Sequence, residues 1–80
     1  MKEIAFPQYR RYLNGASYFR IDSYEQFEEL RRMGRQWLLE QYTAKILPDR
    51  NLVHDLLFDY ASFAEEIAAE AYEAVKVLAR

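Results

Sequence analysis

The chain has 80 residues, of which 51% are apolar and 30% charged, so it suffices for one hydrophobic core and is not an intrinsically disordered polypeptide. It contains no cysteine, which excludes disulfide frameworks, thiolate zinc sites and cysteine nucleophiles. The formal net charge of -2 provides no overall attraction to nucleic acid or anionic lipid. We predict a single globular domain over residues 1–80.

The sequence has no segment suited to a membrane or to secretion. Its longest stretch without a formal charge, residues 12–19, has eight residues, whereas a membrane-spanning helix needs about 20. Arg10 and Arg11 come before any apolar segment of a signal peptide. We therefore expect a cytoplasmic protein that does not contact membranes.

Residues 9–21 predict a β-hairpin. Two segments rich in Tyr and Phe, 9–13 and 16–21, flank Asn14 and Gly15, the dipeptide that favours the positive φ angles of a type I′ turn. This turn sets three pairs of residues opposite each other: Arg11 with Tyr18, Tyr12 with Ser17, and Arg10 with Phe19.

The segment after the hairpin predicts a first helix. Ser23 and Gln26 have the spacing of a capping box, and Gly34 is placed to end a helix in the left-handed conformation. An apolar stripe with helical spacing lies between them: Phe27, Leu30 and Met33.

Residues 37–46 fit two interpretations. Four apolar residues alternate as in a strand: Leu38, Tyr42, Ala44 and Ile46. Intrinsic propensity instead favours continuing the preceding helix. We choose the strand, because an isolated two-stranded hairpin is barely stable and a third strand would give it a buried face.

Two further helices are predicted in the C-terminal half. Pro48 and Asp49 suit the first turn of a helix whose apolar face consists of Leu52, Val53, Leu56 and Leu57. Ser62 and Glu65 form a second capping box, before a stripe of Phe63, Ile67, Ala71, Val75 and Leu78.

These elements predict an α+β domain of order ββαβαα, with three helices packed on one face of a small antiparallel sheet. No motif in the chain is specific enough to name a family.

Candidate catalytic and metal-ligating residues are few. His54 is the only histidine, and on a helix Asp55 would point about 100° away from it. Ser23 and Ser62 are already explained as helix caps, so a Ser/His/Asp triad has no support. The two glycines, 15 and 34, are too far apart for a phosphate loop. We expect no cofactor, no metal site and no enzymatic activity.

The hairpin is the strongest candidate for a binding surface, because it mixes guanidinium groups with aromatic rings. The candidate interaction surface consists of Tyr9, Arg10, Arg11, Tyr12, Tyr18 and Arg20. Our leading hypothesis is a non-catalytic protein-interaction protein that binds a protein partner or forms a weak homodimer through the open edge of this hairpin. The alternative is a module that binds single-stranded nucleic acid by base stacking and phosphate contacts.

Overall fold

The computed structural model describes residues 4–79 and contains five strands and two helices. In chain order they are β1 (Gln8–Tyr12), β2 (Ser17–Ile21), β3 (Gln26–Met33), β4 (Gln36–Thr43), α1 (Leu47–Phe58), β5 (Ala64–Glu66) and α2 (Ala69–Lys76). The strands form one sheet of order β4-β3-β2-β1-β5, in which every neighbouring pair is antiparallel. The α+β class is confirmed, whereas the predicted order with three helices is wrong. Within residues 4–79, neither helix has the length and apolar composition of a membrane-spanning segment.

The predicted hairpin is confirmed as β1 and β2, with Arg11 opposite Tyr18 and Arg10 opposite Phe19. Its turn differs from the predicted type I′, because Gly15 has a φ of 74° but Asn14 does not have a positive φ. The N–H of Gly15 donates to the carbonyl of Tyr12 over 2.8 Å. A turn followed by a left-handed glycine is the usual geometry of a slightly longer hairpin connection.

The helix predicted over residues 23–33 is wrong, because this segment forms β3. The predicted cap is nevertheless present: Ser23 Oγ accepts a hydrogen bond from the N–H of Gln26 over 3.0 Å. It stabilises the turn between β2 and β3 instead of a helix N-terminus, as serine side chains do in many turns. Gly34 adopts its predicted positive φ, 61°, but in the tight turn that joins β3 to β4.

Residues 27–30 of β3 lack the alternating pattern of a half-buried strand because both faces are covered there, whereas residues 31–33 are exposed. Phe27 faces one side of the sheet, Glu28 and Leu30 face the other, and all three are buried. A strand covered on both sides does not show the apolar–polar alternation of a half-buried strand. The strand predicted over residues 37–46 is confirmed up to Thr43, where β4 ends, and residues 44–46 lead into α1.

The main core lies between the sheet and α1. We call this side the α1 face; it presents Arg10, Tyr12, Phe19, Ile21 and Phe27. Val53, Leu56 and Leu57 of α1 are buried against it. The helix predicted from Pro48 is therefore confirmed with its apolar side as expected.

The last helix is shorter than predicted and packs on the opposite side of the sheet. Residues 61–63 form a turn and residues 64–66 form β5, so α2 begins only at Ala69. Its buried residue is Tyr72, whereas Ala71 and Leu78 of the predicted stripe are exposed. We call the side under α2 the α2 face; it presents Tyr9, Arg11, Tyr18, Arg20, Glu28 and Leu30. The helices thus cover both faces, not one.

We expect Leu56→Ala to lower the free energy of unfolding by about 2–5 kcal/mol, the usual cost of truncating a buried aliphatic side chain. Leu56 is 0% exposed in the main core. His54→Ala, whose side chain is 67% exposed on the same helix, is the control and is expected to change stability by less than about 1 kcal/mol. Urea denaturation of both variants measures the difference, and equal midpoints would contradict this placement of the core.

Candidate functional site

The six residues of the predicted hairpin surface do not form one surface. Arg10 and Tyr12 lie on the α1 face, and the other four lie on the α2 face: Tyr9, Arg11, Tyr18 and Arg20. Tyr9 packs against Tyr72 of α2, with ring centroids 5.4 Å apart. The alternation of a strand separates neighbouring side chains onto opposite sides of the sheet, and in this structure each side is covered by a helix.

Arg10 is 4% exposed and is part of the packing between the sheet and α1. Its Nε donates to the carbonyl of Leu56 over 2.8 Å, one of the last carbonyls of α1, which have no partner within the helix. Its guanidinium lies 4.3 Å from the ring centroid of Tyr60. Arg10 therefore caps α1 and is not available to a ligand at the surface.

The other two arginines of the hairpin are ion-paired. Arg11 forms a salt bridge with Glu65 of β5, and Arg20 forms salt bridges with Asp22 and Glu28 at 3.0 and 3.2 Å. Tyr18 packs edge-on against Trp37. The cations on which the sequence hypothesis depended thus hold neighbouring elements of the fold together.

Among the charged residues that the structure describes, Glu28 is buried most deeply, at 1% exposure. One carboxylate oxygen accepts a hydrogen bond from the hydroxyl of Tyr72 over 2.7 Å and lies 2.9 Å from Nζ of Lys76. The other accepts from Arg20 and Gln41, its neighbours on the flanking strands, over 3.2 and 3.4 Å. Buried carboxylates are tolerated when their lone pairs are satisfied in this way. Glu28 thereby fixes α2 to the sheet.

This cluster shifts the pKa of both of its acidic groups. Burial raises the pKa of Glu28, but hydrogen bonds from Tyr72 and Lys76 and the charge of Arg20 outweigh burial and hold the pKa below its ordinary value of 4.5. Burial and the hydrogen bond to Glu28 raise the pKa of Tyr72 far above its ordinary range. The carboxylate is therefore ionised and the hydroxyl protonated at neutral pH.

The open edge of the sheet is not on the hairpin. β1 pairs with both β2 and β5, and β2 pairs with both β1 and β3. The sheet ends instead at β5, which has three residues, and at β4, which has eight. A long terminal strand offers a row of main-chain donors and acceptors to another chain, whereas a very short one offers few.

Hydrogen bonds at the start of β3 show which groups of β4 point outward. The N–H of Ala44 donates to the carbonyl of Glu25, on the β3 side. Antiparallel strands alternate between residues that bond to one neighbour and residues that point away, so Leu39, Gln41 and Thr43 direct their main-chain groups away from β3. The carbonyl of Thr43 also accepts from the N–H of Lys45 over 3.0 Å, and a carbonyl has a second lone pair.

The C-terminal end of the described chain occupies the beginning of this edge. Ala79 forms a parallel bridge with Trp37, whose antiparallel partner within the sheet is Arg32. The residues just before it are apolar and open to solvent: Val77 is 79% exposed and Leu78 63%. At the other end of β4, Ile46 and Leu47 are 62% and 69% exposed. The candidate site is therefore the β4 edge, which we define as the outward groups of residues 39, 41 and 43 with these two apolar ends.

Two other places in the molecule are weaker candidates for a functional site. His54 is exposed, lies 3.7 Å from Asp55 and packs against Phe58, and residues 4–79 contain no group of three His, Asp or Glu side chains that could hold a metal ion. A shallow depression of about 430 Å³ beside Gln41 includes the carboxylates of Asp22 and Glu28. Both carboxylates are already paired with Arg20.

Comparison of the chain with protein-family models, with curated proteins and with solved structures found no match. The site rests on the geometry of the molecule itself. Sequence reasoning predicted the strand over residues 37–46 but assigned the open edge to the hairpin. It also passed over Glu28, because a glutamate followed by a second glutamate resembles a solvent-facing pair.

We expect Tyr72→Phe to lower the free energy of unfolding by about 1–3 kcal/mol, because it removes one donor from a buried carboxylate while keeping the ring. Tyr24→Phe is the matched control, since Tyr24 is 54% exposed, and its effect is expected to stay within about 0.5 kcal/mol. Thermal or urea unfolding of the two variants provides the comparison. Equal stabilities would show that the hydroxyl of Tyr72 does not support Glu28.

We also expect stability to fall in acid through Glu28. Its pKa is lower in the folded state than the ordinary value of 4.5, so its contribution is complete above that value and is lost as pH falls through the folded-state pKa. Glu28→Gln should be less stable at pH 7 and should lose less stability between neutral and acidic pH than the wild type. Glu70→Gln, at an exposed position of α2, should follow the wild-type pH dependence. Parallel pH profiles of wild type and Glu28→Gln would exclude this role.

Proposed function

We propose that this protein is a non-catalytic protein-interaction domain and that its contact surface is the β4 edge. The observation that carries the proposal is a terminal strand of eight residues in a chain of 80, with the main-chain groups of three of its residues directed outward. Extended segments of a partner bind such edges by adding one more strand, in which main-chain hydrogen bonds supply much of the affinity.

The side chains along β4 support a contact role. Edges that are protected from pairing carry proline, inward-pointing charges or bulges. β4 pairs with β3 without interruption from Gln36 to Thr43, and its sequence QWLLEQYT contains no proline and one formal charge, Glu40. That charge is already paired with Arg31. The hydroxyl of Tyr42 donates a hydrogen bond to Glu40, and this bond together with burial raises the pKa of Tyr42 to about 12.

The apolar ends of the edge support the same role. Val77 and Leu78 precede Ala79, which pairs with Trp37, and Ile46 and Leu47 lie shortly after Thr43; all four have most of their surface open to solvent. Exposed apolar groups at the rim of a row of main-chain donors and acceptors supply the hydrophobic part of an interface.

The nucleic-acid alternative has less support from the structure. It requires free guanidinium groups next to exposed rings, but Arg10 is buried and Arg11 and Arg20 are ion-paired with carboxylates. Arg11 and Tyr18 remain as neighbours on the α2 face, with the guanidinium 5.9 Å from the ring centroid. One such pair is a small platform for a nucleic acid strand.

The test uses a capped peptide with the sequence of residues 38–45, which contains no tryptophan, so Trp37, the single tryptophan of the protein, reports binding by fluorescence. In the bound state the amide protons of Leu39 and Gln41 should exchange with solvent at least about tenfold more slowly, because they become hydrogen-bonded. The amide of Arg35 in the adjacent turn is the internal control and should be unaffected.

Two variants complete this test. Gln41→Pro removes an outward N–H and should weaken peptide binding about tenfold or more, since it removes a hydrogen bond and obstructs the edge. Gln41→Ala keeps the N–H and should bind as the wild type does. If the peptide at millimolar concentration changes neither the fluorescence of Trp37 nor amide exchange in the wild type, the β4 edge is not the contact surface.

A further inference from the structure

We propose that the occupant of the β4 edge is a second copy of the same chain, paired antiparallel about a two-fold axis at Gln41. The proposal rests on the proposed function, because it takes the β4 edge as the contact surface and specifies what binds there. It combines three features of the edge: which main-chain groups point outward, where Ala79 blocks pairing, and where the apolar ends lie.

Symmetry limits how two β4 strands can pair. A two-fold axis perpendicular to the sheet keeps each face continuous across the interface, so opposite residues must point to the same face. Because side chains alternate along β4, the two residues of each opposite pair must both have odd numbers or both have even numbers. Each such axis therefore passes through a pair formed by one residue and the same residue of the second copy. The choices near the middle of the free edge are Leu39, Glu40, Gln41 and Tyr42.

Three of these registers are disfavoured. An axis at Leu39 needs Trp37 to pair with the second copy, but Ala79 already occupies that position. An axis at Glu40 sets two carboxylates directly opposite each other, which is destabilising, and again requires Trp37. An axis at Tyr42 leaves Leu39 opposite Lys45, beyond the end of β4, so fewer outward groups find partners.

The register at Gln41 satisfies all the outward groups. Gln41 faces Gln41 of the second copy, and Leu39 faces Thr43 in both directions, so every hydrogen-bonded pair joins two residues whose main-chain groups point outward. Glu40 then lies opposite Tyr42 of the second copy instead of an acid. Each Glu40 also keeps Arg31 of its own chain as a counter-charge.

The same register aligns the apolar ends. β4 ends at Thr43, which faces Leu39, so the strand of the second copy stops two residues before the position held by Ala79. The next residues of the second copy, Ile46 and Leu47, then lie at the level of the C-terminal segment that contains Val77 and Leu78. Each end of the interface thus carries an exposed apolar segment from both copies, by the same symmetry. The product is a continuous ten-stranded sheet, built from two five-stranded ones.

Single-cysteine variants test this arrangement, since the chain has no cysteine of its own. In Gln41→Cys the two thiols face each other on a hydrogen-bonded pair, whose Cα atoms are about 5.5 Å apart, within the range of a disulfide. In Leu39→Cys the equivalent residues are offset by four positions, about 13 Å along the strands, which is too far for a disulfide. Under mild oxidation we expect Gln41→Cys to form covalent dimers at least about tenfold faster than Leu39→Cys.

Three further measurements separate the possible failures. The double variant Leu39→Cys with Thr43→Cys should cross-link as fast as Gln41→Cys does. In denaturant, Gln41→Cys and Leu39→Cys should form disulfide-linked dimers at equal rates. Sedimentation of the wild type over a concentration series should show a dimer that dissociates on dilution and that Gln41→Pro weakens. A wild type that stays monomeric at millimolar concentration, or a Leu39→Cys variant that cross-links as fast as Gln41→Cys, overturns the proposal. If the monomer still binds the peptide of residues 38–45, the edge remains a contact surface for another partner and the proposed function stands.

Discussion

The carboxylate of Glu28 must keep its hydrogen-bond donors, and much of the architecture follows from that requirement. Its contacts with Tyr72 and Lys76 fix α2 across the sheet, because an unpartnered buried carboxylate would cost several kcal/mol. The path of α2 from Tyr9 to Trp37 then brings Ala79 to the outer side of β4. The contacts of Glu28 on β3, the strand next to β4, thus determine how much of the β4 edge is left unpaired.

The sequence predicted the elements whose local and tertiary preferences agree. The hairpin register was predicted correctly from Asn14 and Gly15, although their turn is not type I′, and α1 followed from Pro48 and its apolar stripe. Residues 26–33 have helix-forming side chains and a cap at Ser23, and all of these local signals favoured a helix. Pairing on both sides with β2 and β4, together with burial of Phe27 and Leu30 on opposite faces, outweighed them. Propensity is a weak prior where tertiary pairing is this extensive.

The candidate site was less predictable than the fold. The composition of the hairpin predicted a contact surface made of its arginines and tyrosines. In the structure, however, Arg10 binds the end of α1 and Arg20 is paired with Glu28. The β4 edge is distinguished by the direction of its main-chain N–H and C=O groups. These groups are common to nearly all residue types, so the side chains do not indicate which of them point outward. The order of the strands decides which edge is open. β5, a strand of three residues that follows α1 in the chain, pairs with β1 and covers that edge of the hairpin. This pairing has no strong sequence signal.

The order of the sheet also has a consequence for how the chain folds. β1 to β4 are neighbours both along the chain and in the sheet, so their turns are short and their pairing is quick to form. The contact between β1 and β5 joins residues more than 50 positions apart and must wait for α1 to cross the sheet, since loop closure over that distance is slow. During that interval β1 is an open edge as well as β4, whereas in the finished sheet the three-residue β5 takes its place as the second edge. The nascent protein is therefore most exposed to misassembly on the side that the finished protein closes.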